Sequence, residues 1–164
     1  MKKIIFLDFD GVLNNWRYDN PWLGNCTLKE GYTDRDEYGF LFDKGCVTRL
    51  KALIDATDAH IVASSTWRHL GLEKLNKLWQ KRQLPSTILD IIPLNDKQST
   101  GDSTSLSRGE CIDLWLKNNP VAHYLILDDT DDFLSHQRPF WVNTDGDVGF
   151  SENDLTKSIT ILNT

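Results

Sequence analysis

The sequence predicts an α/β protein in which a central parallel sheet lies between two layers of helices. Segments with strand character alternate with segments of helical periodicity along the 164 residues, and that alternation is typical of a parallel sheet covered on both faces. Two of the strand segments are continuous apolar runs, which indicates strands that are buried on both sides. Both runs end in carboxylates, and the carboxyl ends of parallel strands share one edge, so we expect an acidic site there.

The composition predicts one domain, 1–164. Apolar residues make up 40% and charged residues 26%, which is ordinary for a globular protein with a real core. The net charge of −6 argues against a broad nucleic-acid-binding surface, because such a surface is basic. The apolar run at the N-terminus is too short for a signal peptide or a membrane span, so no membrane partner is expected. Three widely spaced cysteines favour a reducing cytoplasm.

The first strand is predicted over 4–7 and is followed by two acids and a glycine. Side chains two apart in an extended chain point the same way, so Asp8 and Asp10 converge while Phe9 faces the core. Gly11 allows the backbone to turn sharply after them. Two adjacent carboxylates repel each other unless a cation or a proton is bound, which indicates a functional site.

A polar and irregular stretch follows at 14–44. A loop of this length in a compact domain is usually functional or partly structured. Its bulky side chains either line a substrate entrance or fasten the loop to the body of the protein, and the sequence leaves both open. These side chains are Trp16, Arg17, Tyr18, Trp22 and Tyr32.

Helical spacing of apolar residues and capping signals predict four helices. They are expected over 45–57, over 69–83, from 108 through 116, and in a final segment after 151. Asp43 is a suitable N-cap for the first helix. Ser107 and Glu110 have capping-box spacing, as do Ser151 and Asp154. Further strands are predicted over 59–63, 87–92, 123–127 and 140–142.

Small hydroxyl residues end the strand at 59–63. Hydroxyls and free backbone amides between a strand and a helix bind phosphate oxygens well, although helix capping is their other common use. Ser64 and Ser65 are both candidates, and the sequence does not decide between them. Arg68 would lie on the next helical turn, either as a phosphate or substrate contact or as a surface arginine.

A cation stands on the first turn of the helix that begins at Arg108. A positive charge there opposes the helix dipole, so a nearby phosphate or carboxylate would explain its presence. A solvated arginine is the alternative, and Lys97 in the preceding loop is a second candidate for the same role.

The strand at 123–127 runs into Asp128, Asp129 and, after Thr130, a further acidic pair ending at Asp132. Carboxylate oxygens gathered at one sheet edge suit a hard cation such as Mg²⁺. We therefore predict that this acidic run and the first acidic pair form one magnesium site.

The run Asp-Phe-Asp-Gly-Val-Leu at 8–13 after an apolar strand resembles the first motif of the haloacid dehalogenase (HAD) superfamily of phosphohydrolases. The resemblance implies a Rossmann-like α/β/α sandwich with a small cap or flap, 14–44, inserted after the first strand. It implies that Asp8 is the nucleophile that forms an aspartyl phosphate, and that Asp10 is the acid/base. The metal ligands would be Asp8, the Asp10 backbone carbonyl, and Asp128 or Asp129.

The same resemblance implies that Ser64 or Ser65 and Arg108 hold the phosphoryl group. Ser-Ser-x-Trp-Arg at 64–68, Arg-Gly-Glu at 108–110 and Leu-Asp-Asp at 127–129 are similar to the small HAD domains associated with RNA-repair proteins. The implied function is a Mg²⁺-dependent phosphatase acting on polynucleotide or nucleotide phosphate ends. A phosphotransferase or mutase of the same fold, and a metal- and phosphate-binding module without catalysis, remain alternatives.

Overall fold

A five-stranded parallel sheet forms the centre of the protein, as predicted. The computed structural model describes residues 1–15, 35–95 and 105–164. The strands are β1 (Lys2–Leu7), β4 (His60–Ala63), β5 (Ile88–Ile91), β6 (Val121–Asp128) and β7 (Trp141–Asn143). They lie in the order β5-β4-β1-β6-β7, and each neighbouring pair is parallel. The strand β1 therefore has β4 on one side and β6 on the other.

The described residues also form four α-helices and two short 3₁₀ turns. They are α1 (Lys44–Thr57), α2 (Leu72–Lys81), α3 (Arg108–Asn118), α4 (Glu152–Asn163), and the 3₁₀ turns Thr66–Leu70 and Arg138–Phe140. The predicted caps are confirmed: Asp43 accepts from the Cys46 N–H at 2.8 Å, and both α3 and α4 begin with complete capping boxes.

The second helix begins later than predicted. Its periodicity suggested 69–83, but α2 covers only Leu72–Lys81. Gly71, at φ = 82°, separates α2 from the preceding 3₁₀ turn, because a left-handed residue interrupts helical geometry and glycine adopts that conformation readily. Trp67 and Arg68 therefore lie in the 3₁₀ turn rather than in α2.

Alternate residues of β1 pack on opposite faces of the sheet. Ile5 and Leu7 belong to a core shared with α1, α2 and α4, while Ile4 and Phe6 belong to a second core beneath α3. All four side chains are fully buried. The three-layer α/β/α arrangement follows, and β1, covered on both faces, presents its carboxyl end between the helix layers.

The described part of the insert contains a small antiparallel hairpin. Its strands are β2 (Arg35–Asp36) and β3 (Gly39–Phe40). The aromatic and basic candidates from 16–32 lie outside the described residues, as does Lys97. The flap role of 14–44 therefore stays a prediction. Within the described ranges, no helix has the length and apolar character needed to cross a membrane.

Candidate functional site

The ends of three adjacent strands converge around Asp8. Its backbone N–H donates to the carbonyl of Leu127 at 3.0 Å, and the N–H of Ser64 donates to the carbonyl of Leu7 at 3.0 Å. The ladder therefore continues one residue past the end of β1 on both sides. This pairing places the first residues after β1, β4 and β6 at one edge of the sheet, as the parallel topology predicts.

Three carboxylates form a compact group at this edge. One oxygen each from Asp8, Asp128 and Asp129 lies within 4.8 Å of the others. Asp8 and Asp128 are buried, and Asp129 is partly buried. Burial, followed by repulsion from Asp8, raises the pKa of both Asp128 and Asp129. The group brings together both candidates for the metal ligand from the second acidic run.

Glycine is required at position 11 because Asp129 lies directly against it. Gly11 has φ = 76°, and a Cβ atom there would lie 2.1 Å from Asp129 Oδ2. A side chain would both strain the backbone and displace the carboxylate. The glycine of the first motif therefore serves the acidic group as well as the turn.

Arg108 lies between two of the three carboxylates. Its Nη1 donates to Asp8 Oδ2 at 2.9 Å and also to Asp128 Oδ2, and the side chain is 2% exposed. Burial by itself would lower the pKa of the guanidinium, but Asp8 and Asp128 together raise it, so the group stays charged. Arg108, whose positive charge opposes the dipole of α3, therefore has carboxylate partners rather than solvent.

The N-terminus of α3 is held in place by the loop after β6. Asp132 Oδ2 accepts from the Arg108 N–H at 2.8 Å, and the Asp132 carbonyl accepts from the Gly109 N–H at 3.0 Å. The sequence predicted Asp132 as a later acid near the metal, but the structure uses its carboxylate to cap α3. Anchoring the helix start fixes the position of the Arg108 side chain.

Gln137 contributes to the same anchor and was not identified from the sequence. Its side chain is fully buried, and its Nε2 donates to the Gly109 carbonyl at 2.9 Å and to Asp113 Oδ1 at 2.8 Å. Its Oε1 accepts from the Leu134 N–H at 3.0 Å. No local pattern marks this glutamine as part of the anchor, because its partners on α3, Gly109 and Asp113, lie 28 and 24 residues away in the sequence.

The structure gives the two serine candidates different surroundings. Ser65 Oγ accepts from the Trp67 N–H at 3.3 Å and caps the 3₁₀ turn. Ser64 is fully buried, and its Oγ has no hydrogen-bond partner among the described residues. A buried hydroxyl without a partner is costly; the hydrogen-bonding capacity of Ser64 Oγ is unused among the described residues, whereas Ser65 Oγ already accepts one hydrogen bond.

The Arg68 guanidinium donates to backbone carbonyls, and its role as a phosphate contact stays a prediction. Its side chain is fully buried, and Nη1 donates to the carbonyls of Ser64 and Ser65 at 2.7 and 2.8 Å. The other guanidinium nitrogens donate to the Pro93 carbonyl at 3.3 and 3.4 Å. The 3₁₀ turn directs the side chain back onto the strand end, where these carbonyls need donors, so Arg68 supports the loop that carries Ser64.

Asp10 stands apart from the three carboxylates and is held on both oxygens. Asn14 Nδ2 donates to Oδ1 at 2.8 Å, and Trp67 Nε1 donates to Oδ2 at 2.8 Å. Burial raises the pKa of Asp10, while these two hydrogen bonds oppose the rise. A carboxyl with a raised pKa can carry a proton closer to neutral pH, which general acid catalysis needs.

Comparison with protein-family models gives a match over most of the chain. The family model described as the HAD domain in Swiss Army Knife RNA repair proteins matches residues 4–155. No curated protein matches the chain. The matched region contains all the site residues described above.

Proposed function

Because the chain belongs to the family of HAD domains in Swiss Army Knife RNA repair proteins, we propose that it hydrolyses phosphomonoesters on polynucleotide or nucleotide ends with Mg²⁺. The family gives the chain a phosphohydrolase-type function in an RNA-repair context. The observation that carries the finer proposal is the group of Asp8, Asp128 and Asp129 with Arg108 at its side.

The residues present fit a magnesium ion. Three carboxylate oxygens within 4.8 Å of one another are hard ligands of the kind Mg²⁺ prefers. Burial and the Asp8 charge raise the pKa of Asp128 and of Asp129, and a cation would relieve that repulsion. Asp8, Asp128 and Asp129 would hold the ion, together with the Asp10 carbonyl as the resemblance implies. When bound, Mg²⁺ supplies positive charge that neutralises the carboxylates and an approaching phosphate.

In the first half of the proposed reaction, the Asp8 carboxylate attacks the phosphorus atom of the phosphomonoester. The bond from phosphorus to the leaving oxygen breaks, and the proton on Asp10 passes to that oxygen, which leaves as an alcohol. Arg108 stabilises negative charge on the transferring group, and Ser64 Oγ donates to one of its oxygens. The product of this half is an aspartyl phosphate on Asp8.

In the second half, a water molecule attacks the phosphorus atom of the aspartyl phosphate. Asp10 takes one proton from the water, and the bond between phosphorus and the Asp8 oxygen breaks. Inorganic phosphate leaves, while Asp8 returns as a carboxylate and Asp10 as a carboxylic acid. Asp10 therefore serves as acid and base in turn, which requires it to hold one geometry through both steps.

Phosphate release, measured with and without Mg²⁺, tests this function. The panel holds p-nitrophenyl phosphate, nucleoside monophosphates, sugar phosphates, and oligonucleotides with a 3′- or 5′-phosphate. We expect Mg²⁺-dependent release that is fastest with the oligonucleotide ends or nucleotides. Asp8→Asn should abolish turnover, while Asp55→Asn, an exposed acid paired with Lys51 on α1, should not change it.

Other outcomes separate the alternatives. Transfer of phosphate to an acceptor without free phosphate would indicate a phosphotransferase or mutase. Mg²⁺ binding without turnover of any panel member would indicate a binding module. Turnover that survives Asp8→Asn would remove Asp8 from the role of nucleophile.

A further inference from the structure

We propose that Trp67 is the residue that positions the Asp10 carboxyl for proton transfer, and that the hairpin of β2 and β3 holds the Trp67 ring in place. The inference rests on the proposed function, since it concerns the acid/base of that reaction. It assigns a role to the tryptophan of the Ser-Ser-x-Trp-Arg run, which has no part in the reaction steps proposed above and is not a member of the acidic group.

The indole of Trp67 fixes the orientation of the Asp10 carboxyl plane. Its Nε1 donates to Asp10 Oδ2 at 2.8 Å, and Asn14 Nδ2 donates to Oδ1 at 2.8 Å from the other side. A carboxyl has about four lone-pair sites, so both oxygens retain capacity for a proton and a substrate contact. The two donors therefore restrict rotation of the carboxyl without blocking its chemistry.

Aromatic neighbours hold the Trp67 ring. Its centroid lies 6.0 Å from that of Phe9 at an interplanar angle of 71° and 5.7 Å from that of Phe42. Phe9 separates the two acids of the first motif in the sequence, so the same ring contact joins Trp67 to the backbone that carries Asp8 and Asp10. An indole packed in this way is a more rigid donor than a long flexible side chain.

The hairpin and Arg82 also lie next to the Trp67 ring. Arg82, which follows α2, stacks over Trp67 at 5.7 Å from the centroid and over Phe42 at 4.7 Å. A Cβ added to Gly39, in β3, would lie 3.6 Å from the tip of the Trp67 ring. A methyl group at Gly39 would therefore be in van der Waals contact with the indole, so this part of the hairpin lies next to the ring.

A bidentate ion pair between Arg82 and Asp36 connects the hairpin to the rest of the protein. Arg82 Nε donates to Asp36 Oδ2 at 2.9 Å and its Nη2 donates to Asp36 Oδ1 at 2.7 Å. Their side chains are 5% and 15% exposed, and paired donors and acceptors of this kind give geometric specificity. The contacts run from Asp36 through Arg82 and Trp67 to Asp10, so the insert contributes to the position of the acid/base.

Replacement of the indole N–H tests the inference through the leaving group. Trp67→Phe removes the donor, and replacement of Trp67 by 3-benzothienylalanine removes it while keeping the size of the ring, in case the phenylalanine variant does not fold. Proton donation matters most for an alkyl alcohol and least for p-nitrophenolate, which is stable as an anion. The value of kcat/KM reports the steps up to formation of the aspartyl phosphate, so it isolates the role of Asp10 as acid.

We expect kcat/KM for a nucleoside monophosphate to fall about 10-fold or more relative to kcat/KM for p-nitrophenyl phosphate. Trp79→Phe is the matched control. Trp79 packs on Phe9 and Phe42 as well, but its Nε1 donates to the Pro85 carbonyl at 2.9 Å. That variant should change kcat/KM for both substrates by the same factor.

Equal losses on both substrates in the Trp67 variants would overturn the inference and leave the phosphatase function standing. Absence of phosphate release by the unmodified protein would instead overturn the proposed function, and the inference with it. Asp36→Ala tests the hairpin. A smaller selective loss in the same direction is expected, and an unchanged ratio would remove the hairpin from the role.

Discussion

Replacement of Arg108 by methionine tests whether this residue balances the charge of the site. Methionine fills a comparable volume with an apolar chain, so the main loss is the positive charge between Asp8 and Asp128. All three side chains are almost completely buried, with exposures of 2%, 7% and 0%. Removal of the cation therefore leaves two buried carboxylates, and the hydrogen bonds they keep within the described ranges come from the backbone amides of Phe9 and Thr130.

The structure predicts that Arg108→Met greatly lowers the free energy of unfolding in metal-free buffer. Breaking a buried ion pair by removing one partner costs about 3–5 kcal/mol, which is a substantial part of the roughly 5–15 kcal/mol that stabilises a typical domain. With a urea dependence of about 2 kcal/mol per molar, 4 kcal/mol corresponds to a midpoint lowered by about 2 M. Arg138→Met is the control, since Arg138 and Asp131 are each half exposed and their pair is worth about 0–1 kcal/mol.

The loss of stability should depend on pH. Burial, followed by repulsion from Asp8, raises the pKa of Asp128 in the folded protein, and Arg108 opposes that rise. Arg108→Met should therefore raise the pKa further. A carboxyl whose pKa is raised by folding contributes stability that is complete at acidic pH and is lost as the pH rises through that pKa. The variant should be less stable than the unmodified protein by a larger margin at pH 8 than at pH 5.

Urea unfolding followed by tryptophan fluorescence, in EDTA at pH 5 and pH 8 and again with Mg²⁺, measures these effects. We expect Mg²⁺ to restore part of the stability that Arg108→Met loses at pH 8, because a divalent cation replaces the missing charge. The variant should release no phosphate, with or without Mg²⁺. Equal midpoints for the variant and the unmodified protein at pH 8 would refute the reasoning. So would an identical difference between them at the two pH values.

Three further substitutions test other parts of the site. Ser64→Ala should keep or raise the free energy of unfolding, because its buried Oγ has no partner among the described residues and its removal relieves a desolvation cost, while the KM for substrate rises; steady-state kinetics and thermal unfolding measure both. Ser65→Ala should show the reverse, with about 0.5–2 kcal/mol lost from the missing cap and little change in KM. Gly11→Ala should lower Mg²⁺ affinity in calorimetry, because its Cβ would displace the Asp129 carboxylate, and should cost about 1–2 kcal/mol in backbone strain. Unaltered Mg²⁺ binding would contradict that placement.

The sequence predicted those features whose physical causes are local. Apolar runs and helical spacing gave the order of the elements, since burial on two faces or on one stripe leaves a periodic trace. The caps at Asp43, Ser107 and Ser151 followed from side chains that bond to the backbone three residues on. Asp8 at the end of β1 and the acids at the end of β6 predicted an acidic group because parallel strands end at one edge. The Asp10 carboxylate, expected beside Asp8, is not part of that group.

The tertiary structure alone decided which side chains serve which partner. Trp67 and Asp10 are separated by 57 residues in the sequence, and Arg108 and Asp8 by 100. Ser64 and Ser65 differ only in which of them the 3₁₀ turn uses as its cap, and Arg68 lies on backbone carbonyls because that turn directs it there. Composition and spacing show that donors and carboxylates exist, but a hydrogen bond depends on distances of a few tenths of an ångström, and packing of distant segments sets those distances.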